Sequence, residues 1–239
     1  MTRILLATNG SGYQIGKCLE FGFFKEAIDA IVSDRPCRAL DIAESHRVDR
    51  FDLGEKDSIS LNSKILDLAV KRKVDHIISP GFTRVFRGEI LEAYRNRVFN
   101  CHPSILPAFK GFYDTRDARR NHHPRKIFER VLDFGSRVTG NTIHVVTENI
   151  DEGAPILVST MNIVYHEDPK LTRHRLFVQE CKCLLQFVMW LLQGRLEYDT
   201  DGFPMIKNAK FDEPYYSPNL EDPTIIGFNP KYPYDSQNT

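Results

Sequence analysis

The sequence predicts an α/β protein, a doubly wound and mostly parallel sheet covered by helices on both faces. Short apolar runs of strand length alternate with helical patterns through residues 4–102, the β-α-β rhythm of a parallel sheet. Turn-forming residues close those runs at Asn9-Gly10-Ser11-Gly12, Pro80-Gly81 and His102-Pro103, where the chain must leave a strand. A long segment near the carboxyl end places Leu176, Phe177, Leu184, Phe187, Val188 and Leu191 on one stripe, as a helix packed on a sheet requires.

Taken in order, Ile4–Ala7 reads as a buried strand, Asn9–Gly12 as a turn and Tyr13–Phe24 as a helix. Ala27–Val32 is a second strand, Arg38–Ser45 a short helix and Val48–Leu53 a weaker third strand. Leu61–Val74 is amphipathic, with Ile65, Leu66, Leu68 and Ala69 recurring among charged residues. His76–Ser79 is a strand stopped by Pro80-Gly81, Phe86–Arg95 a helix, and Arg97–His102 another strand. Beyond it come a helix at Ile127–Phe134, strands at Thr142–Thr147 and Pro155–Val158, and the long helix Leu171–Leu192. Gly194 suits the end of that helix. Arg195–Ile206 reads as a hairpin around Asp201-Gly202, and the proline- and asparagine-rich residues after Pro214 as an extended tail. The expected organisation is one large domain over residues 1–200 and an extension over 201–239.

Lys+Arg and Asp+Glu both total 32, so no net field draws the chain to nucleic acid or an anionic membrane. The five cysteines are odd in number and contain no CxxC, which argues against a disulfide framework or a zinc ribbon. Adjacent His122-His123 lacks metal-ligand spacing, and no metal is expected. The apolar runs at Ile4–Ala7 and Leu184–Leu192 are too short for a signal or a membrane span, so a cytoplasmic location is expected. The expected partner is a small-molecule amine. Self-association would give a homodimer, and neither nucleic acid nor membrane is expected.

In open parallel sheets, ligands bind beyond the carboxyl ends of the strands, and Gly10, Gly81 and Asn100–His102 all fall there. Asn100 and His102 are two apart on a strand and share a face, and Pro103 leaves them at its end. An amide and an imidazole N–H meeting at one point can hold an oxygen as it becomes negative, where losing one donor typically costs ~10²–10³ in rate. Asp151, in the turn after the next strand, can take a proton from an attacking amine. His144 can orient that carboxylate or a water. This chemistry suits acyl transfer to an amine.

Asn100-Cys101-His102-Pro103-Ser104-Ile105-Leu106-Pro107, Gly111, the strand start Gly140–His144 and Asp151-Glu152-Gly153 resemble the signature of the folate-dependent formyltransferase family. The likeness covers about residues 3–200 and is strongest to the branch that formylates glycinamide ribonucleotide. It implies a Rossmann-like formyltransferase fold, 10-formyltetrahydrofolate as co-substrate and, for that branch, a place in purine biosynthesis. It also implies Asn100 and His102 at the formyl oxygen, with Asp151 managing the proton. Arg84, Val85 and Phe86, with the turn from Thr147, would line the folate pocket, largely through backbone groups. Gly10, Ser11 and Gly12 would hold a phosphate, Gly81 and Thr83 would complete the acceptor rim, and Glu180 would bind the amine-bearing end.

The chain departs from that pattern in three places. Gly12 stands where the family usually has asparagine, and no counterpart is found for an arginine before the Leu61–Val74 helix. Residues 112–126 are longer than the usual connection and basic; a solvated loop and a contact to substrate phosphate or the folate's acidic tail both remain open. Formyltransferases acting on nucleotide-linked amino sugars or on hydroxyornithine therefore stay as alternatives. From other classes, Gly10–Gly16 with Asp34 loosely mimics a dinucleotide fingerprint and suggests an NAD-dependent oxidoreductase. A folate-binding sensor is the non-catalytic alternative.

Overall fold

The computed structural model describes residues 2–110, 124–164 and 166–207. Its centre is a seven-stranded sheet of order β3-β2-β1-β4-β5-β6-β7, formed by β1 Ile4–Ala7, β2 Ile28–Ser33, β3 Asp49–Asp52, β4 His76–Pro80, β5 Val98–His102, β6 Val138–Val145 and β7 Pro155–Asn162. The first five strands pair in parallel, and β5–β6–β7 pair antiparallel. The expected sheet is therefore present, with an antiparallel edge. Its strand order reverses between β1 and β4, the place where such sheets open a crevice for ligands.

Successive side chains on a strand face opposite ways, so the buried strands divide two cores between them. Ile4, Leu6 and Phe99 pack with α1 Tyr13–Leu19, α2 Gly22–Ala27, α3 Arg38–Ser45 and α7 Pro169–Leu192. Leu5, Ala7, Ile77 and Val98 pack with α4 Ser58–Lys71 and α5 Glu89–Ala93. Every residue of the predicted α7 stripe is buried, and Phe187 meets Phe99 edge-on at 4.8 Å. At roughly 25 cal/mol per Å² of apolar surface removed from water, these two layers supply the main drive for folding.

The single helix expected over Tyr13–Phe24 is instead two, because Phe21 takes an extended backbone (φ −92°, ψ 121°) and Gly22 opens the second. Strand β6 begins at Val138, four residues before the sequence pattern suggests. A Cβ on Gly140 would lie 1.8 Å from the Ser159 carbonyl oxygen, so bare backbone at that glycine lets β6 and β7 stay paired through it. The short helix α6 Pro124–Asp133 precedes β6.

The hairpin of β8 Leu196–Tyr198 and β9 Pro204–Ile206 follows α7, and Ile206 is buried in the α7 core. The expected boundary at residue 200 thus falls inside the hairpin turn, and the chain remains packed on the domain to 207. Residues 112–123 of the basic stretch, Gly111 and the tail from 208 lie outside the described residues. Among the described residues, no helix is long and apolar enough to cross a membrane. All five cysteines are free thiols.

Candidate active site

Asn100 and His102 end β5 on the sheet face covered by α4 and α5. Ser79 of β4 and His144 of β6 are the register partners of Asn100, and Thr142 of β6 is the partner of His102. The turn between β6 and β7 carries Asp151 back over this row. Asp151 has φ +56°, a left-handed conformation that a short polar side chain tolerates. Two residues later, a Cβ on Gly153 would lie 1.7 Å from the Val145 carbonyl oxygen, so only glycine lets the turn press this closely on β6. The Asp-Glu-Gly motif is in this sense a device for placing its first residue.

The carboxylate of Asp151 lies 3.5 Å from His102 Nδ1 and 3.7 Å from His144 Nε2. Both distances exceed hydrogen-bond length, so these contacts are electrostatic. Burial pushes His102 down to about 4, against the opposing pull of Asp151, and the imidazole is neutral at physiological pH. Its Nε2 is buried without a partner among the described residues. Buried polar atoms are nearly always bonded, so this nitrogen marks a place for a ligand atom. His144 is lowered too, chiefly by burial. Its Nδ1 lies 2.9 Å from the Val145 carbonyl oxygen and its Nε2 3.2 Å from the Asn100 amide nitrogen. His144 therefore holds Asn100 and makes no hydrogen bond to Asp151.

The segment after β5 is tied down by Thr142, whose hydroxyl accepts from Leu106 N and donates to the Ser104 carbonyl. Ser104 in turn donates to the Ala108 carbonyl at 2.7 Å. Across the β1–β4 crevice, the β1–α1 and β4–α5 loops are joined through side chains. Asn9 Nδ2 donates to Asp34 Oδ1 at 2.9 Å and to Thr83 Oγ1 at 3.0 Å, and Asn9 Oδ1 accepts from Thr83 N. Arg84 Nε donates to Asp34 Oδ2 at 2.7 Å. Both oxygens of Asp34 are thus occupied, and its side chain is 1% exposed. It is not placed to bind a ribose, which removes the residue on which the dinucleotide reading rested.

Asn62 of α4, which the sequence reading did not single out, donates to the Val85 carbonyl at 3.1 Å. Glu148, in the turn that carries Asp151, accepts from Gly88 N at 2.8 Å. The turn from Thr147 to Asp151 is therefore bonded to the loop that follows Arg84–Phe86. Phe86 is buried against Phe82 with ring centroids 5.6 Å apart, leaving its backbone as the part available to a ligand. Thr147 is exposed, and its hydroxyl donates to the Asn149 carbonyl.

Gly10 and Ser11 are exposed and Gly12 is buried. Gly12 has φ +67°, and a Cβ there would lie 2.4 Å from Ala39 Cα, so the close approach of α3 explains a glycine where a side chain was expected. No side chain caps the amino end of α1. Gly81, whose carbonyl oxygen is 3.6 Å from the Cβ position of Gly10, sets the two loops in contact. Glu180 lies on the other sheet face with α7, beside Cys101. Its carboxyl is raised by burial, with Arg173 Nη1 3.9 Å away. The structure thus gathers Asn100, His102, His144 and Asp151 into one cluster and leaves Glu180 outside it. Among the described residues, no cluster of three or more His, Cys, Asp or Glu is placed to hold a metal.

A doubly wound sheet with a half-buried amide beside a buried imidazole and carboxylate at its strand ends defines a class of α/β group-transfer proteins. The chain belongs to the formyl transferase family, whose model matches residues 56–188, more than half of its length. It is 30% identical over 156 residues to the chloroplastic phosphoribosylglycinamide formyltransferase of Arabidopsis thaliana, a match covering 64% of this chain and 50% of that protein. The chain thus spans about half the length of this plant relative. To the phosphoribosylglycinamide formyltransferase of Mycobacterium tuberculosis it is 29% identical over 188 residues, covering 74% of this chain and 81% of the relative. The crystal structure of glycinamide ribonucleotide transformylase 1 from Symbiobacterium toebii superposes with a TM-score of 0.73 at 25% identity, covering 87% of this chain and 95% of that one.

Proposed function

We propose that this protein transfers a formyl group from 10-formyltetrahydrofolate to the primary amine of glycinamide ribonucleotide, a step of purine biosynthesis. The observation that carries the reading is the Asp151 carboxylate set beside both His102 and His144 at the end of β5, with His144 in turn holding Asn100. The names and acceptors of the relatives support the choice of substrate, and a cytoplasmic location fits it.

In this mechanism the neutral amine attacks the formyl carbon and a tetrahedral intermediate forms. The free Asn100 N–H and the Nε2 edge of His102 meet the oxygen as it gains charge, an interaction that strengthens toward the transition state. Asp151, beside His102 Nδ1, takes the proton that the amine releases. The bond from the formyl carbon to N10 then breaks, and that proton ends on N10, directly or through water. No covalent bond to the protein is formed. The uncapped amides of Gly10–Tyr13 suit an acceptor phosphate, since bare N–H groups favour an anion. Arg84, Val85 and Phe86, with the turn from Thr147 to Asp151, hold the folate.

The test is an acceptor screen with 10-formyltetrahydrofolate, following tetrahydrofolate release. It includes glycinamide ribonucleotide, an amino-deoxy nucleotide sugar, hydroxyornithine and a no-acceptor arm read as formate. Turnover with glycinamide ribonucleotide alone is expected. Turnover with another amine in its place overturns the acceptor, and release with none overturns the transfer reaction.

A further inference from the structure

A side-chain amide serves as a hydrogen-bond donor in only one of its two flipped orientations, and the surroundings of Asn100 select that orientation step by step. The Val145 carbonyl can only accept, so His144 Nδ1, 2.9 Å away, carries the proton. In a neutral ring, Nε2 is then a bare acceptor. The Asn100 nitrogen, 3.2 Å from it, must turn one N–H toward it. Oδ1 consequently faces the opposite neighbour, Ser79 of β4, whose hydroxyl lies 3.2 Å from it. That hydroxyl is buried and also lies 3.0 Å from the Phe99 carbonyl oxygen, so its one hydrogen is shared between two acceptors and its position is fixed by the β4–β5 pairing. Ser79, Asn100 and His144 form a single row across three adjacent strands. With oxygen held on one side and one N–H on the other, Asn100 keeps its second N–H for a ligand.

We propose that Ser79 is a positioning residue for the transfer reaction, holding the Asn100 amide in the orientation that donates to the formyl oxygen. The inference rests on the reaction proposed above. Ser79 touches no reacting atom. It acts by preventing the amide from turning an oxygen toward a developing negative charge, and that state would be both inactive and repulsive.

The experiment is a double-mutant cycle with steady-state kinetics. Ser79→Ala is expected to lower kcat about 5- to 20-fold with both KM values unchanged, less than the loss of the donor itself. In an Asn100→Ala background, Ser79→Ala is expected to change kcat by less than about 2-fold, because no amide remains to orient. An equal loss in both backgrounds, or a rise in KM without a fall in kcat, overturns the proposal. Ser79→Thr, which keeps the hydroxyl, should recover most of the rate. The same cycle read by NMR is independent of turnover. The Asn100 side-chain amide should give one sharp pair of signals in the parent and broaden in Ser79→Ala. A parent that transfers no formyl group but shows this broadening sinks the reaction and keeps the positioning role. An active parent with unbroadened signals in Ser79→Ala does the reverse.

Discussion

His102 Nδ1 stands 3.5 Å from Asp151 Oδ2, and both side chains are almost wholly buried, at 2% and 3% exposure. Two opposing effects act on the imidazole. Removal from water disfavours its charged form and the neighbouring carboxylate favours it, and the first dominates. The protein therefore keeps a neutral ring beside a carboxylate, and this arrangement is tied to the stability of the fold.

Acid should destabilise the protein through this histidine and His76. Both are pushed by burial from 6.5 to about 4. Between those values the unfolded chain binds more protons than the native one, so stability rises with pH. The contribution is complete above about pH 6.5 and is lost as pH falls toward 4. Between pH 7.5 and 5 each histidine should remove about 2 kcal/mol. Urea unfolding at the two pH values measures the loss, and His76→Gln, remote from the site, should lessen the pH dependence by one histidine's share. An unchanged slope in that variant would contradict the account.

Gly12 should resist the asparagine that its family usually carries. The Cβ would meet Ala39 backbone at 2.4 Å, and forcing atoms into packed space costs typically 1–3 kcal/mol. Gly12→Asn is expected to lower the melting temperature by several degrees, about 2–4 °C per kcal/mol for a domain of this size, and to raise the acceptor KM as the loop shifts. The KM for the folate should stay within about 2-fold, since a loop shift at this end removes uniform binding of the acceptor alone. A variant as stable as the parent with better acceptor binding would show that α3 yields freely.

Much of this arrangement was legible because period and punctuation act locally. The alternation of apolar runs fixed the parallel half of the sheet, and Asn-Cys-His-Pro announced a strand end with two side chains on one face. Asp151 was readable as a turn residue, although its reach over β5 depends on how closely Gly153 lets that turn press on the Val145 carbonyl, a distance that no periodic pattern sets. The partners of Asn100 were harder to see. Ser79 lies 21 residues from it along the chain, and only the β4–β5 register brings them together. The Asp34 link from Asn9 to Arg84 is of the same kind, for it joins three separate strand ends. Long-range polar contacts carry no periodic signal, and a buried serine or aspartate reads from sequence like any turn residue.

Asn62 offers a separate test of the folate side. Its amide donates to the Val85 carbonyl at 3.1 Å, holding the loop that is expected to present backbone groups to the folate. Asn62→Ala leaves that carbonyl without its partner, at a cost of about 1–3 kcal/mol. The donor KM should rise about 5- to 50-fold while kcat and the acceptor KM hold, because binding that is uniform between ground and transition states is lost. Steady-state kinetics with each substrate varied in turn measures this. A fall in kcat with donor KM unchanged would place Asn62 with the reacting groups instead.

Asp151→Asn isolates the proton step, because the amide keeps the shape of the carboxylate and removes its basicity. If Asp151 takes the amine's proton, kcat should fall by about 10²–10⁴ with both KM values within a few-fold. The variant also tests whether the carboxylate acts only by its charge on His102. In that case the ring, relieved of a favourable neighbour, would become still harder to protonate, and a loss of rate would arise from His102. The two routes separate in His102→Gln. If Asp151 acts on the proton directly, Asp151→Asn should still cost about 10²-fold or more in a His102→Gln background, the range for general-base removal. If it acts only through the imidazole, the second substitution should cost nothing further. Single-turnover measurements of tetrahydrofolate release in the four proteins distinguish these outcomes.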